Sequence, residues 1–242
     1  MKTRLNKFLA EAGVASRRTA DAIIAAGRVR VNGHVERTLG STVTQSDRIE
    51  VDGAPLTRPA AKTYVVLHKP VGVVTTMRDP ERRRTVRDLI PGGIPRVVPV
   101  GRLDYDSSGV LLLTDDGELA YRLTHPRFGV EKTYHVEIAG PIADEDLRTM
   151  RDGLALPALH TRPSRVRVLG TSHRRSCVEL TLQEGKNRQI RRMLDALGYR
   201  VLSLQRVRFG PVALGELRPG KARFLNAKEL KLLRRIVAAK EG

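Results

Sequence analysis

The chain of 242 residues carries 44 lysines and arginines against 26 aspartates and glutamates, which gives a net charge of +18. This length allows one small and one medium domain with a buried core. So large a positive charge indicates a polyanionic partner, most simply a nucleic acid, or else a basic surface without a function. The single cysteine, Cys177, excludes a disulfide framework and a cysteine-based zinc cluster.

Neither a signal peptide nor a membrane span is predicted. The N-terminal residues are polar and lead into a charged helix, and no apolar run approaches the length that crosses a bilayer. We therefore expect a cytoplasmic protein without a membrane partner. The charge is uneven along the chain: residues 1–58 carry +4, residues 59–159 are neutral, and residues 160–223 carry +11. The strongest positive field is thus expected in the last third.

The N-terminal segment has the pattern of two short helices followed by a hairpin. Apolar residues recur at helical spacing before Gly13 and again before Gly27, and each glycine is a C-terminal stop signal. Ser16 is placed to cap the second helix, and Asn32-Gly33 after an alternating run indicates a tight turn between strands. The domain boundaries that we predict are a compact module over 1–58, a linker over 59–63 and a second domain over 64–242.

Two arginines begin the second of these helices. Arg17 and Arg18 lie where free backbone N–H groups and the helix dipole favour a phosphate. Two solvated arginines on a small helical hairpin would give the same pattern, so position alone leaves both interpretations open.

Strand patterns dominate the second domain. Helices are predicted over 118–123 and 144–150, and a C-terminal helix is capped by Asn226 with Glu229 as its reciprocal partner. Because strands outnumber helices without regular alternation, the pattern favours an α+β fold with a largely antiparallel sheet. The predicted strands are 64–67, 97–100, 110–113, 134–138, 165–168 and 178–182.

The glycine-flanked segment 101–109, between two predicted buried strands, could carry chemistry. Arg102 and Asp104 lie two residues apart in it, and catalytic groups are often presented by such loops. Aspartate and serine are also ordinary turn residues, so this loop does not decide the question by itself.

A helix predicted near residue 190 adds three arginines. Its buried stripe is centred on Ile190, and each residue advances by roughly 100° around the axis. Arg188 and Arg192 then share the solvent face, where they suit phosphate, whereas Arg191 lies at the edge of the stripe. A guanidinium at that edge suits a partly buried carboxylate.

These segments resemble the motifs of the pseudouridine synthases in order and spacing. The matching segments are 68–75, 101–117, 123–136 and 184–193, of which the last is typical of the RsuA/RluB branch. Residues 4–33 resemble an S4 domain. The two resemblances together cover nearly the whole chain, and Val110 stands where leucine is usual, which is a mild departure.

The resemblance implies a fold and a reaction. The fold is an S4-like α/β RNA-binding domain followed by a synthase domain built on a mainly antiparallel mixed sheet with flanking helices. The reaction detaches uracil from ribose at N1 and rejoins it through C5, which one carboxylate can serve without a cofactor or a metal. The implied partner is rRNA or an assembling ribosomal subunit, and we expect a monomer. Segments 187–188 and 202–217 favour large-subunit 23S rRNA, with the small-subunit 16S enzyme as the alternative.

The resemblance also implies roles for individual residues. Asp104 is the expected catalytic residue, as nucleophile or as base, and Arg191 is expected to pair with it. Tyr134 is expected to stack on the uracil, and Arg102 to steady the site that the extruded base vacates. The candidates for RNA contacts are Arg17, Arg18, Arg28, Arg30, Lys69, Lys186, Arg188 and Arg192.

Other classes fit less well. A glycoside hydrolase would need a second carboxylate, and the candidate for it, Asp106, has the pattern of an ordinary turn residue. The six histidines lack ligand spacing, and an RNA methyltransferase would need a glycine-rich cofactor loop that we do not find. The serious alternative is a non-catalytic RNA-binding or ribosome-assembly protein. The combination of Asp104, Tyr134 and Arg191 argues against it, since binding alone does not need that carboxylate.

Overall fold

The computed structural model describes residues 2–57, 61–156 and 159–238. Its contacts divide the chain into two compact units, residues 1–63 with 115–117, and residues 64–114 with 118–242. Part of the predicted linker, residues 59 and 60, lies outside the described residues. Within the described ranges, no helix is long and apolar enough to cross a membrane.

The first unit combines two short helices with short antiparallel strands. Its elements in chain order are β1 (Thr3–Arg4), α1 (Leu5–Glu11), α2 (Arg17–Ala25), β2 (Val29–Val31), β3 (His34–Glu36), β4 (Thr42–Val43), β5 (Ile49–Val51) and β6 (Ala54–Leu56). Strand β1 pairs with β4, and the other four form a sheet in the order β3-β2-β5-β6. Leu5, Leu9 and Ile24 of the helices are buried against Val29 and Ile49 of the sheet.

The predicted ends of these elements are confirmed. The side chain of Ser16 accepts a hydrogen bond from the Thr19 backbone N–H at 3.1 Å and so caps α2. Asn32 and Gly33 have φ of 52° and 82°, and positive φ at both central residues defines the tight hairpin turn that joins β2 to β3.

The second unit is built on a nine-stranded mixed sheet. Its elements in chain order are β7 (Tyr64–Lys69), β8 (Val98–Pro99), β9 (Ser108–Thr114), α3 (Gly117–Thr124), β10 (Lys132–Ala139), α4 (Asp144–Asp152), β11 (Ala155–Leu156), β12 (Leu159–His160), β13 (Arg165–Thr171), β14 (Arg175–Leu182), α5 (Gln189–Ala196), β15 (Val201–Phe209), β16 (Val212–Ala213), β17 (Ala222–Phe224) and α6 (Ala227–Ala238). The main path of the sheet is β13-β14-β10-β15-β9-β7-β17. Among the described residues, the strand pair β15–β9 is parallel, whereas the other strand pairs of this sheet are antiparallel. The predicted α+β class with a mainly antiparallel mixed sheet is confirmed.

The sheet has a hydrophobic core on each face. Along β9, Leu111 and Leu113 belong to one core, and Val110 and Leu112 belong to the other, as the alternation of side chains along a strand requires. Helices α4 and α5 cover the first face, and α3 and α6 cover the second. Because both faces are covered at β7 and β9, each of these two strands carries an apolar run.

The longest strand, β15, was not predicted. It joins the antiparallel part of the sheet to β9 through the parallel register Gln205↔Ser108 and Arg206↔Gly109. Gly109 has φ of +113°, and a Cβ there would lie 2.1 Å from the Arg206 carbonyl oxygen. The glycine therefore permits a close backbone approach that places Arg206 directly beside the start of β9.

Candidate active site

Hydrogen bonds from the side chains of Lys69 and Thr75 hold the segment that precedes β9 in place. The Lys69 ammonium donates hydrogen bonds to the backbone oxygens of Ser107, at 2.8 Å, and Pro70, at 2.9 Å. The Thr75 hydroxyl donates to the Leu103 carbonyl at 2.6 Å. These bonds fix the backbone on both sides of Asp104, so the carboxylate is presented by a rigid loop.

Two arginines approach the carboxylates of this loop. The Arg188 guanidinium lies 3.8 Å from an Asp104 carboxylate oxygen and 3.2 Å from an Asp106 oxygen. Arg191 donates to the Asp106 carbonyl at 2.9 Å and lies 3.3 Å from its carboxylate. Asp104 therefore has Arg188 as its nearest cation, and Arg191 orders the loop through Asp106.

The expected pairing of Arg191 with Asp104 is wrong in this structure. Arg191 does reach inward, with 15% of its side chain exposed, but it contacts the neighbouring Asp106. Arg188 precedes α5 and has a left-handed backbone, with φ of 47° and ψ of 32°. It therefore does not follow the helical wheel that placed it on the solvent face, and its side chain turns towards the loop.

Asp106 is held in its charged form. Burial opposes ionisation of this carboxyl, but the hydrogen bond from Arg188 and the charge of Arg191 outweigh it and lower the pKa of Asp106. A carboxylate that accepts from one arginine and forms an ion pair with a second is fixed in orientation as well as in charge.

The turn before α5 is anchored by a buried polar pair. The Gln189 side-chain amide donates to the Glu184 carboxylate at 2.6 Å and accepts from the Lys186 backbone N–H at 3.1 Å. Glu184 also accepts from the Arg162 backbone N–H at 3.0 Å. This arrangement fixes the backbone immediately before Arg188.

Asp104 lines an open cleft of about 380 Å³ in the second unit. One wall comes from β10, β14 and β15, and its apolar part includes Leu182 and Tyr134, which is buried to 9% exposure. The other side is formed by the loops at 101–107 and 184–190. A cleft of this volume, lined by both apolar and polar side chains, can hold a small ring such as a nucleobase.

Two more cations line the same cleft. Lys132 on β10 and Arg206 on β15 are both buried, at 8% and 3% exposure. Their charged groups lie 5.5 Å and 5.1 Å from the centroid of the Phe209 ring. Burial, with a smaller effect of Arg206, lowers the pKa of Lys132 from 10.5 to about 8.

The structure brings most of the predicted residues of the second domain together. The residues in this group that line the cleft are Arg102, Asp104, Tyr134, Lys186 and Arg188. Arg191 and Arg192 line an adjoining open groove with Arg188. Lys186 lies 3.4 Å from the Glu184 carboxylate and also donates to the His160 carbonyl.

Lys69 is an exception, and the prediction that it contacts RNA is wrong. Its side chain is fully buried and donates to backbone carbonyls. Burial lowers the pKa of Lys69 to about 8, against the attraction of Asp104 and Asp106. Lys69 supports the catalytic loop from within the protein.

The four arginines of the first unit that are predicted to contact RNA differ in their hydrogen-bond partners within the protein. Arg17 and Arg18 are exposed at the start of α2, and Arg17 makes a long contact of 3.4 Å with the Asn6 side chain. Arg30 donates to the Gly33 carbonyl at 2.9 Å. Arg28 forms a two-point pair with Asp52 at 2.9 Å and 2.5 Å, so its guanidinium already has a partner.

Sequence reasoning missed Lys132, Arg206 and Asp106 as parts of the site. Asp106 was considered as an ordinary turn residue, and Lys132 lies in a recognised motif without an assigned role. Arg206 and Arg208 alternate like solvent-facing residues of an edge strand. Only the central position of β15 shows that Arg206 points into the protein.

Comparison with known proteins agrees with this geometry. Residues 63–196 match the RNA pseudouridylate synthase family, and residues 3–49 match the S4 domain. A crystal structure of a pseudouridylate synthase is similar with a TM-score of 0.70 and 32% identity, covering 95% of this chain and 99% of that one.

Relatives extend over almost the entire chain. An uncharacterized RNA pseudouridine synthase of Aquifex aeolicus is 43% identical, over 99% of this chain and 97% of its own length. Ribosomal large subunit pseudouridine synthase B of Bacillus subtilis is 42% identical, over 96% of this chain and 95% of its own length. The fold and the site thus define an RNA-modifying isomerase. The chain belongs to the RNA pseudouridylate synthase family, with an S4 domain at its N-terminus.

Proposed function

We propose that this protein converts one uridine of large-subunit rRNA into pseudouridine, with Asp104 as the catalytic carboxylate. The observation that carries the proposal is the position of Asp104: it lines a cleft of nucleobase size, on a rigid loop, 3.8 Å from Arg188. The choice of the large subunit is supported by the similarity to the Bacillus subtilis enzyme over nearly the full length of both chains.

The cleft suits a reaction at one sugar carbon. The bond from C1′ to N1 breaks, and a bond from C1′ to C5 forms, so one carboxylate beside C1′ can act in both steps. Arg188 would attract and orient the Asp104 carboxylate, and Arg191 would hold the loop through Asp106. Tyr134, on the apolar wall, would stack against the uracil.

A uridine within folded RNA must leave its stack before it can enter this cleft. Arg102 is exposed at the mouth of the cleft and would steady the position that the base vacates. Lys186, Arg188 and Arg192 would contact phosphates near the site. In the first unit, Arg17, Arg18 and Arg30 would contact the RNA backbone, and the protein would act as a monomer without a cofactor.

The test maps the product on both rRNAs. Purified protein and the Asp104→Asn variant are each incubated with large-subunit and small-subunit rRNA, and pseudouridine is located by carbodiimide adducts and primer extension. The proposal predicts a new stop at one uridine of the large-subunit rRNA with the parent protein only. A stop in the small-subunit rRNA alone would reassign the substrate, and a stop that persists with Asp104→Asn would remove Asp104 from the chemistry.

A further inference from the structure

Three cations are buried around the floor of the cleft without a carboxylate partner. Lys69, Lys132 and Arg206 have exposures of 0%, 8% and 3%. Within the described ranges, none of them forms an ion pair with an aspartate or a glutamate. Lys69 supports the loop from below, whereas Lys132 and Arg206 line the cleft itself.

Backbone oxygens satisfy these groups only in part. The Lys132 ammonium donates to the Val130 carbonyl at 2.9 Å, and Arg206 Nε donates to the Val110 carbonyl at 2.7 Å. Arg206 Nη2 is buried without any hydrogen-bond partner. A neutral carbonyl does not cancel a charge, so both cations remain uncompensated.

The two side chains are adjacent and repel each other. Lys132 is opposite Phe209, and Tyr134 is opposite Arg206, in the register of β10 and β15. Both charged groups approach the same Phe209 ring, and Arg206 makes the charged form of Lys132 less favourable. Burying two like charges beside each other destabilises the fold unless a bound anion compensates them.

We propose that Lys132 and Arg206 form a cationic floor that stabilises the negative charge of the uracil ring while it is detached from ribose. This inference rests on the proposed reaction. The floor lies on the same strands as Tyr134, the residue proposed to stack on the base. A buried charge that is already in place needs no rearrangement when the negative charge develops, which makes such stabilisation effective.

The chemistry balances without a further reactant. When the bond from C1′ to N1 breaks, its electron pair stays on the uracil, which becomes an anion spread over the ring and its carbonyl oxygens. The sugar carbon C1′ is left electron-deficient beside the Asp104 carboxylate. C5 then gives an electron pair to C1′, and any bond between C1′ and Asp104 breaks with its pair returning to the carboxylate. A proton leaves C5, and a proton is taken up at N1. The floor contributes charge only, and it neither gives nor takes a proton in this scheme.

The test measures binding of a uracil-shaped anion. Barbiturate has a ring like that of uracil and is anionic at neutral pH, whereas uracil is neutral. Binding of each to the full-length protein is followed by saturation-transfer NMR at millimolar concentrations, with inorganic phosphate as a third probe. We expect barbiturate to bind at least about tenfold more tightly than uracil, because an uncompensated cationic site discriminates by charge.

Three variants separate charge from structure. Lys132→Met removes the charge at similar length and should reduce the preference for barbiturate to less than about threefold. Lys132→Arg keeps the charge and should retain the preference. Lys231→Met removes one charge from an exposed position on α6 and serves as the matched control, with no effect expected. Thermal unfolding of each variant confirms that it is folded.

The outcomes are distinct. No detectable barbiturate binding, or equal binding of barbiturate and uracil by the parent, would overturn the proposal. Phosphate binding that depends on Lys132, without barbiturate binding, would instead make the floor a phosphate site and overturn it as well. Because these measurements use no rRNA, an error in the assigned rRNA would leave the preference for the anion intact.

Discussion

The guanidinium of Arg188 lies 3.8 Å from the carboxylate of Asp104, a distance that is too long for a hydrogen bond. The same guanidinium contacts Asp106 at 3.2 Å. Arg188 therefore connects the proposed catalytic carboxylate to a second carboxylate that is itself held by Arg191.

Arg188 and Arg191 should respond differently to substitution. Arg188→Met should slow single-turnover modification by about 10- to 100-fold with little change in stability, since a half-exposed pair contributes little to folding. Arg191→Met should instead lower the melting temperature, because its guanidinium donates to the Asp106 backbone in a partly buried position. Thermal scans and single-turnover rates on both variants check this. A stable Arg191→Met with normal activity would contradict the positioning role.

Asp106→Asn should reduce activity without abolishing it. The variant removes the negative charge between two arginines but retains the backbone carbonyl that accepts from Arg191. We expect a rate loss of about tenfold, far smaller than for Asp104→Asn, since Asp106 acts through Arg188. Steady-state kinetics of the two variants, prepared side by side, give the comparison. Equal rate losses in the two variants would contradict the assignment of Asp104 as the catalytic residue and Asp106 as a positioning residue.

Removal of Lys132 should stabilise the protein while it impairs the reaction. The pKa of Lys132 is about 8 in the folded protein, against the usual 10.5. Its charged form is therefore disfavoured by folding at pH 7, by up to about 3 kcal/mol. The hydrogen bond to Val130 contributes only about 1 kcal/mol. Lys132→Met should thus melt at a higher temperature than the parent at pH 7, and a lower melting temperature would indicate a structural role.

The same residue should make the stability difference depend on pH. Between about pH 8 and 10.5 the unfolded chain holds the Lys132 proton and the folded protein has lost it, so the free energy of unfolding contributed by this group rises with pH. The advantage of Lys132→Met should therefore shrink between pH 7 and pH 10. Lys69 titrates in the same range in both proteins and cancels in the difference. Denaturant melts at the two pH values measure it.

Gly109→Ala should be strongly destabilising. The added Cβ would lie 2.1 Å from the Arg206 carbonyl oxygen, and the residue has φ of +113°. We expect a loss of at least about 3 kcal/mol in the free energy of unfolding, since backbone atoms on both strands would have to separate. Gly92→Ala is the matched control, because a Cβ there meets nothing within 4 Å. Similar melting temperatures for the two variants would contradict the close approach.

The basic residues of the first unit should affect RNA binding unequally. Arg17→Ala with Arg18→Ala should weaken binding and reduce the dependence of log K on log salt by roughly one for each lost phosphate contact. Arg28→Ala should have a smaller effect, since Arg28 is already paired with Asp52. Filter binding of rRNA fragments across a salt series checks both, and equal slopes for all variants would place the RNA contacts elsewhere.

Local signals in the sequence predicted local structure well. Ser16 and Asn32-Gly33 act through neighbours in the chain, so the cap on α2 and the turn after β2 could be read from the sequence directly. The continuous apolar run of β9 likewise indicated a strand covered on both faces. Pairing of distant strands is not encoded in any single segment, and β15 was therefore missed.

Only part of the candidate site could be predicted from the sequence. The loop of Asp104 and the arginines near residue 190 could be recognised from motifs and helical spacing. The partner of each arginine could not, because the left-handed backbone of Arg188 breaks the helical geometry on which the assignment depended. Lys132 and Arg206 meet only through the register of β10 and β15, so their cluster needs the three-dimensional structure.

Release of tritium from RNA labelled at uridine C5 shows directly whether Asp104 catalyses the isomerisation, because the proton at C5 must leave when pseudouridine forms. Large-subunit rRNA carrying this label is incubated with the parent protein and with Asp104→Asn, and RNA binding of both is measured in parallel. We predict release with the parent up to one equivalent per RNA, no release with Asp104→Asn, and equal RNA binding by both proteins. Release that continues with Asp104→Asn would contradict the assignment of Asp104 as the catalytic residue.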